Sequence, residues 1–199
     1  MLDKQLNMDV YINSLVSHCF KLLSDIGKIR NLLTSKHTEL LVHAVISSRL
    51  DYCNSLLYGT NKEHIEKLQK VQNAAARLIS LRKKHESISD VLVELHWLRV
   101  EARIFFKILT IVYKCVNNMA PECIIDLIDI RDATTCTLNY KHFQSPYARK
   151  SFSYIAPKLW NNLPLDLRLC PSLDKFKSQL KYLLFNNLNN YKKSVFKYQ

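Results

Sequence analysis

The residues of this 199-residue chain that could carry chemistry are few and scattered. Asp51 stands in SRLDYCNSLLYG, residues 48–59, among Leu50, Tyr52, Cys53, Leu56, Leu57 and Tyr58. Two-metal nucleotidyl transfer needs converging carboxylates that hold ions about 4 Å apart. Asp51 has no second acid beside it, so it reads as neither a metal ligand nor half of an Asp-Asp pair. Asp126, Asp129 and Asp132 recur at steps of three, at a helix end and loop start, and read as solvated carboxylates. Cys115 with Cys123, and Cys136 with His142, lack the ligand spacing of a zinc site. No local signature joins any of the six cysteines to a histidine as a nucleophile. His96, beside Trp97, reads as a packed histidine rather than a base. The only glycines are Gly27 and Gly59, too few for a phosphate-cradling loop. The expectation is a chain with no catalytic residue, no metal ligand and no cofactor.

What the chain does carry is positive charge, a net +12. From Asn139 onward, 11 Lys/Arg face only Asp166 and Asp174. Such an excess suits a polyanion, most often nucleic acid and less often an anionic membrane surface, with a merely soluble basic surface as the plain alternative. Arg99, Arg103, Lys107, Thr110 and Lys114 recur at steps of four, four, three and four, which places them on one helix face. A basic stripe of this kind can follow a phosphate backbone. Equally, a largely buried helix must put its charges on its one wet face. Tyr147, Phe152, Tyr154 and Trp160 interleave with the later charges, loosely as in single-strand binding surfaces, although Phe152 and Trp160 fit packing better.

The elements that position these residues are helices. With two glycines and five prolines in 199 residues, the chain lacks the turns of a barrel or sandwich, and 48% hydrophobic residues supply a core. The predicted fold is all-α, an irregular multi-helix bundle of about six to eight helices. Ile12, Leu15, Cys19, Leu22, Ile26, Ile29 and Leu33 mark an amphipathic helix over 11–33. Thr34 or Ser35 caps a second over 36–58, with Gly59 as its left-handed stop. Thr60 to Glu63 reads as a capping box for a third, to Leu81, laced by Glu63–Lys67 and Glu66–Lys70 pairs. The apolar residues of 48–59 then read as core. A short helix from Ser87 or Ser89 to Leu95 precedes a long one over 99–117, and Pro121 opens another to Ile128. Residues 129–150 read as irregular, with a little strand near Phe143. A short helix is expected between Pro157 and Pro164, and Ser172 caps a last one. The end, NNLNNYKKSVFKYQ, reads as a basic fraying tail.

Scattered cysteines without a C-x-x-C pair fit reduced thiols, hence an intracellular chain, nuclear or cytoplasmic. The most apolar stretch, IFFKILTIVYKCV, is shorter than a span of about 20 residues and is broken by Lys107 and Lys114, so no membrane is expected.

Several strings together resemble one family. SRLDYCNSLLYG, LQKVQNAAARLI, LHWLRVEARIFFKI, YKCVNNMAPECI, SFSYIAPKLWNNLPLDLR and FKSQLKYLLF look like successive blocks of the region C-terminal to the polymerase core in LINE-type non-LTR retrotransposon reverse transcriptases, of the jockey and chicken-repeat sort. They cover about residues 2–185. The resemblance implies a parent with an endonuclease, fingers and palm, a helical thumb and this C-terminal region, copying RNA into DNA. None of the palm or endonuclease motifs is present, so no catalytic residue carries over. It also implies that Met1 is not the parent's start, and that 1–81 is a thumb-like three-helix unit. Residues 82–128 would continue it with the long helix, then 129–185 with the irregular segment and last helices, and finally the tail 186–199. Where relatives read LHWLPV this chain has Arg99, which removes a proline and adds a charge to the stripe. The implied partners are an RNA or RNA/DNA duplex backbone and the parent's catalytic core. The implied contact residues are Arg99, Arg103, Lys107 and Lys114, with Lys141, Arg149 and Lys150 next. The other reading is an inert structural remnant, with IFFKILTIVYKCV and LKYLLF as exposed patches.

Overall fold

Small turns between amphipathic helices set the architecture of this chain. A computed structural model describes residues 8–83, 85–145 and 148–186; Tyr147 and the basic end from 187 onward lie outside them. The described residues are mostly helical, as the glycine-poor composition predicts, with one two-stranded sheet. The chain divides into two compact units, Met1–Arg103 and Ile104–Gln199. No helix among the described residues is long and apolar enough to cross a membrane.

In the first unit, α1 (Asp9–Ile29) buries Ile12, Cys19, Leu23 and Ile26 at steps of seven, four and three. It packs on α4 (Lys62–Ser80), whose inward face is Leu68, Val71, Ala75, Ala76 and Ile79. Between them, Thr34 caps α2 (Ser35–Val42) by accepting the His37 N–H at 3.2 Å, as its type predicts. The predicted second helix is not continuous. A π turn over His43–Ser47 widens it, α3 (Ser48–Asp51) comes next, and the helix breaks at Tyr52. A 3₁₀ turn (Asn54–Leu57) and Gly59 at φ 73° complete the connection. That break corrects the reading of 48–59 as core. Leu50 and Leu57 are buried, but Tyr52, Cys53 and Leu56 face solvent, because the helical repeat that would have turned them inward ends.

The Thr60–Glu63 capping box does not form either. Asn61 holds the N-cap position of α4, and the Thr60 hydroxyl donates backward to the Leu57 carbonyl at 2.9 Å. Glu63 pairs with Lys67 at 3.0 Å, while Glu66 pairs with Lys62 rather than Lys70. Buried His64 donates Nε2–H to Asp9 at 2.6 Å, joining α4 to the start of α1.

The far end of α4 is held by Arg30, a buried cation in the 3₁₀ turn after α1. Its Nε donates to the Leu78 carbonyl at 2.8 Å and its Nη2 to the Ile79 carbonyl at 2.9 Å. Nη1 reaches Leu33 O at 2.8 Å and Nη2 the Ser35 hydroxyl at 3.3 Å. The last carbonyls of a helix lack intrahelical donors and carry its negative pole, so a guanidinium is well matched there. Leu81 then leaves α4 in the left-handed region at φ 58°.

Next, α5 (Ser89–Glu94) ends in a Schellman turn. The Trp97 N–H reaches Leu92 O at 2.8 Å and the His96 N–H reaches Val93 O at 2.9 Å, with His96 at φ 53°. His96 is therefore exposed and not packed, contrary to expectation, because the turn sends Trp97 inward instead. Side-chain amides of α4 fix the strand of backbone beyond that turn. Gln72 donates to Leu98 O at 2.8 Å, and Gln69 accepts the Val100 N–H at 3.0 Å, serving as a borrowed cap for α6 (Val100–Val116).

In the second unit, α6 ends in another Schellman turn, with Asn118 at φ 54° and Met119 N–H on Lys114 O at 2.7 Å. Ile104, Phe105, Ile108, Leu109, Val112, Tyr113 and Cys115 are buried, so IFFKILTIVYKCV is covered. In LKYLLF, Leu180 and Leu184 are buried and Tyr182 is exposed. After α7 (Glu122–Ile125) comes a hairpin of β1 (Ile130–Asp132) and β2 (Thr137–Leu138), with a register shift between Ile130 and Asp132. The strand expected near Phe143 lies here instead, where Asp132 organises the turn. Helix α8 (Phe152–Trp160) starts before Pro157, which sits inside it at the cost of one backbone hydrogen bond. Then α9 (Leu165–Arg168) leads to α10 (Leu173–Asn186), where the Ser172 hydroxyl accepts Lys175 N–H at 3.3 Å as expected of a cap.

The core of this unit is aromatic. Tyr113 stacks on Phe176 at 4.4 Å between ring centroids, with Trp160 5.8 Å from Phe176. The polar tips are satisfied, Tyr113 Oη–H by Cys170 O at 2.8 Å and Trp160 Nε1–H by Cys136 O at 2.7 Å. Asn161 grips both backbone groups of Leu138, at 2.9 and 2.8 Å, as a neighbouring strand would. Arg168 Nη1 donates to Thr135 O at 2.6 Å.

These contacts are open to measurement. Replacing Arg30 by Met orphans the Leu78 and Ile79 carbonyls and should cost about 3 kcal/mol in urea unfolding, and Arg30→Lys should not restore it. The Asp132 carboxyl is held at about 2 by hydrogen bonds from the Thr135 hydroxyl first, then from the Thr134 hydroxyl and N–H. Its folded value lies below the unfolded one of about 3.9, so its contribution is complete above that value and is lost as pH falls toward 2. Asp132→Asn should therefore be less stable than the parent at pH 6, with the gap closing by about pH 2.

Candidate functional site

The stripe predicted from Arg99 to Lys114 is broken up by its surroundings. Arg99 is exposed just ahead of α6, and Lys107 is exposed on it. Lys114 is half-buried, and Thr110 is buried with its hydroxyl on Phe106 O at 2.6 Å. Arg103 is different. Its Nη2 lies 2.8 Å from Asp51 Oδ2, and its side chain is only 18% exposed. Burial pulls its guanidinium below the usual arginine range, partly offset by Asp51. Arg103 Nη1 is buried without a hydrogen-bond partner.

Asp51 is thereby accounted for. It ends α3, receives Arg103 on one oxygen and the Asn54 amide at 3.4 Å on the other. Its task is to hold a cation of its own unit, 52 residues away. Nothing local in the sequence signals this pair, since its partners lie 52 residues apart in the chain.

The other predicted contact residues belong to the second unit. Lys141 is half-buried with Nζ on Leu127 O at 3.2 Å, and Arg149 and Lys150 are exposed on a 3₁₀ turn, Ala148–Lys150. Arg149 Nε reaches back to Phe143 O at 3.3 Å. The Phe143 ring meets Tyr154 edge to face at 6.3 Å, so a cation and two half-buried aromatics share one place. Sequence reasoning misses Phe143 and, one turn beyond Tyr154, Lys158. A signal is available, because residues 133–165 contain no Asp or Glu at all.

Among the described residues, no three of His, Cys, Asp or Glu gather as a metal site. Cys115 and Cys136 are buried, and burial raises both thiols. Cys123 and His142 are exposed, and Asp126 and Asp129 are too. Trp160 is wholly buried, as packing required, and Phe152 is half-buried.

No family model, curated protein or solved structure matches this chain.

The Asp51–Arg103 pair is testable by a double-mutant cycle with Asp51→Asn and Arg103→Met. Half-exposure of Asp51 limits the coupling by solvent screening to about 1 kcal/mol, and thermal unfolding of the four proteins would measure it.

Proposed function

We propose that this chain is a non-catalytic, backbone-contacting module from the C-terminal region of a retrotransposon RNA-directed DNA polymerase. The ordered sequence blocks support the family, and the charge distribution supports the role. One observation carries the role. Of the seven cations singled out, Arg103 alone is held at ion-pair distance by a carboxylate among the described residues, and Arg99, Lys107, Arg149 and Lys150 are exposed. Cations left unpaired by their own protein are those able to displace counterions from a phosphate backbone. Contacts of this kind give hold without reading sequence.

Titrating the purified chain into a labelled RNA/DNA hybrid over a range of salt tests this. Arg99→Gln and Lys107→Gln should each lower the log–log salt slope by about 0.9. Arg103→Met should leave the slope unchanged, because Asp51 already neutralises that charge. Affinity indifferent to salt would overturn the proposal. The chain alone should add no nucleotide to a primer with Mg²⁺.

A second reading, an inert structural remnant, draws on the apolar side chains the first unit exposes, Leu32, Leu40, Tyr52 and Leu56 among them. ANS binding with a broad melt would favour it. A sharp monomeric melt would favour the module.

A further inference from the structure

Residues 133–165 form a stretch of 33 residues without a carboxylate, yet they carry Lys141, Arg149, Lys150 and Lys158. Ordinary charged surface mixes both signs. Here Arg149 and Lys158 stand beside two rings, and Lys150 follows Arg149 in the same 3₁₀ turn. Arg149 is tethered by Nε to the backbone of Phe143, whose ring leans on Tyr154. On α8, Lys158 lies four residues after Tyr154 and therefore on the same face. Both rings are half-buried, so each is held by the fold while keeping part of its surface open. In an edge-to-face pair, one ring presents its rim to the other's face, which leaves outer surface for a third planar group.

The requirements of a base and of a phosphate are thus met side by side. A flat π-system stacks on an aromatic ring whatever its sequence, and the adjoining phosphates need nearby cations with no competing carboxylate. A duplex cannot use this arrangement, since its bases are stacked on each other and offer only edges and backbone. Nor does an anionic lipid surface have use for ring stacking. We propose that Phe143, Arg149, Lys150, Tyr154 and Lys158 form a binding site for single-stranded nucleic acid, about two nucleotides stacked on the rings with their phosphates on the cations. This rests on the backbone-contacting reading but assigns a different ligand form, and a different mode of contact, to the second unit.

The test is fluorescence anisotropy of the full-length chain with labelled oligo(U) and oligo(dT) of about twelve nucleotides. An RNA/DNA hybrid and phosphatidylserine vesicles serve as competitors. Phe143→Ala with Tyr154→Ala should weaken single-strand binding about tenfold, whereas Tyr154→Phe, which keeps the ring, should bind as the parent does. Arg149→Gln/Lys150→Gln/Lys158→Gln touches no core residue and should lower the salt slope by about 2 on single strands. Equal loss for oligo(U) and oligo(dT) is expected of stacking, and a loss confined to oligo(U) would move the recognition to the 2′-hydroxyl and overturn this site's mode. If the triple variant keeps full affinity and slope, the site is wrong. If vesicles compete as well as oligonucleotides, the patch is a general polyanion surface and the proposal fails. Hybrid binding that persists while single strands never bind would sink this site and leave the backbone reading standing. Failure to bind any nucleic acid removes both.

Discussion

Arg30 is a cation buried among carbonyls, and the first unit is arranged around the way those carbonyls meet it. Hydrophobic packing of α1 on α4 is strong but non-directional, and Ile, Leu, Val and Ala faces tolerate sliding by part of a turn. A guanidinium donating to Leu78, Ile79 and Leu33 does not, because its donors form a fixed fork. It joins the end of α1, the entry to α2 and the end of α4 at one point. From there α2 is aimed so that Val42, Ile46 and Leu50 reach the core and Asp51 arrives opposite Arg103. Four acceptors compensate the burial of the charge, which would otherwise be prohibitive.

The second unit uses the same tactic with neutral and charged donors alike. Its segment from Thr135 to Leu138 is too short to satisfy its backbone by strand pairing. Trp160, Asn161 and Arg168 supply the missing partners from the helical side. A helical scaffold thus supplies partners for Thr135 O, Cys136 O and both backbone groups of Leu138 in this irregular stretch. Beyond it, Arg149 and Lys150 are exposed.

Much of this is legible in the sequence, and the failures have physical causes. Helix faces with a clear 3.6-residue rhythm, such as Ile12, Cys19 and Ile26, fall where periodicity places them. Thr34 and Ser172 cap as their types demand, and Gly59 takes the left-handed turn. What fails depends on competition. Thr60 donates its hydroxyl backward to Leu57 O, where the capping box would have it accept an N–H ahead. His96 is pushed outward by the Schellman turn that buries Trp97. The helix after Thr34 reads as unbroken because nothing in HAVISSRLDYC marks a π turn or the bend at Tyr52. The basic stripe is legible as a pattern, but the neutralisation of Arg103 is not, since its partner lies half a domain away in sequence. The patch around Phe143 and Tyr154 is visible only as a missing residue type.

The π turn over His43–Ser47 has a consequence for the whole segment behind it. A π turn holds one residue more than the α-helix needs, and each α-helical residue advances by about 100°. Everything C-terminal to it is therefore phased to a rotation that an ordinary helix of the same letters would not reach. His43 rests its ring against Trp97 at 5.3 Å within this turn. Winding the same residues as an unbroken α-helix would swing the carboxylate of Asp51 by about 100°, more than a quarter revolution. The chain thus keeps a surplus residue as a spacer, and the angular setting of the Asp51–Arg103 pair is written into that insertion.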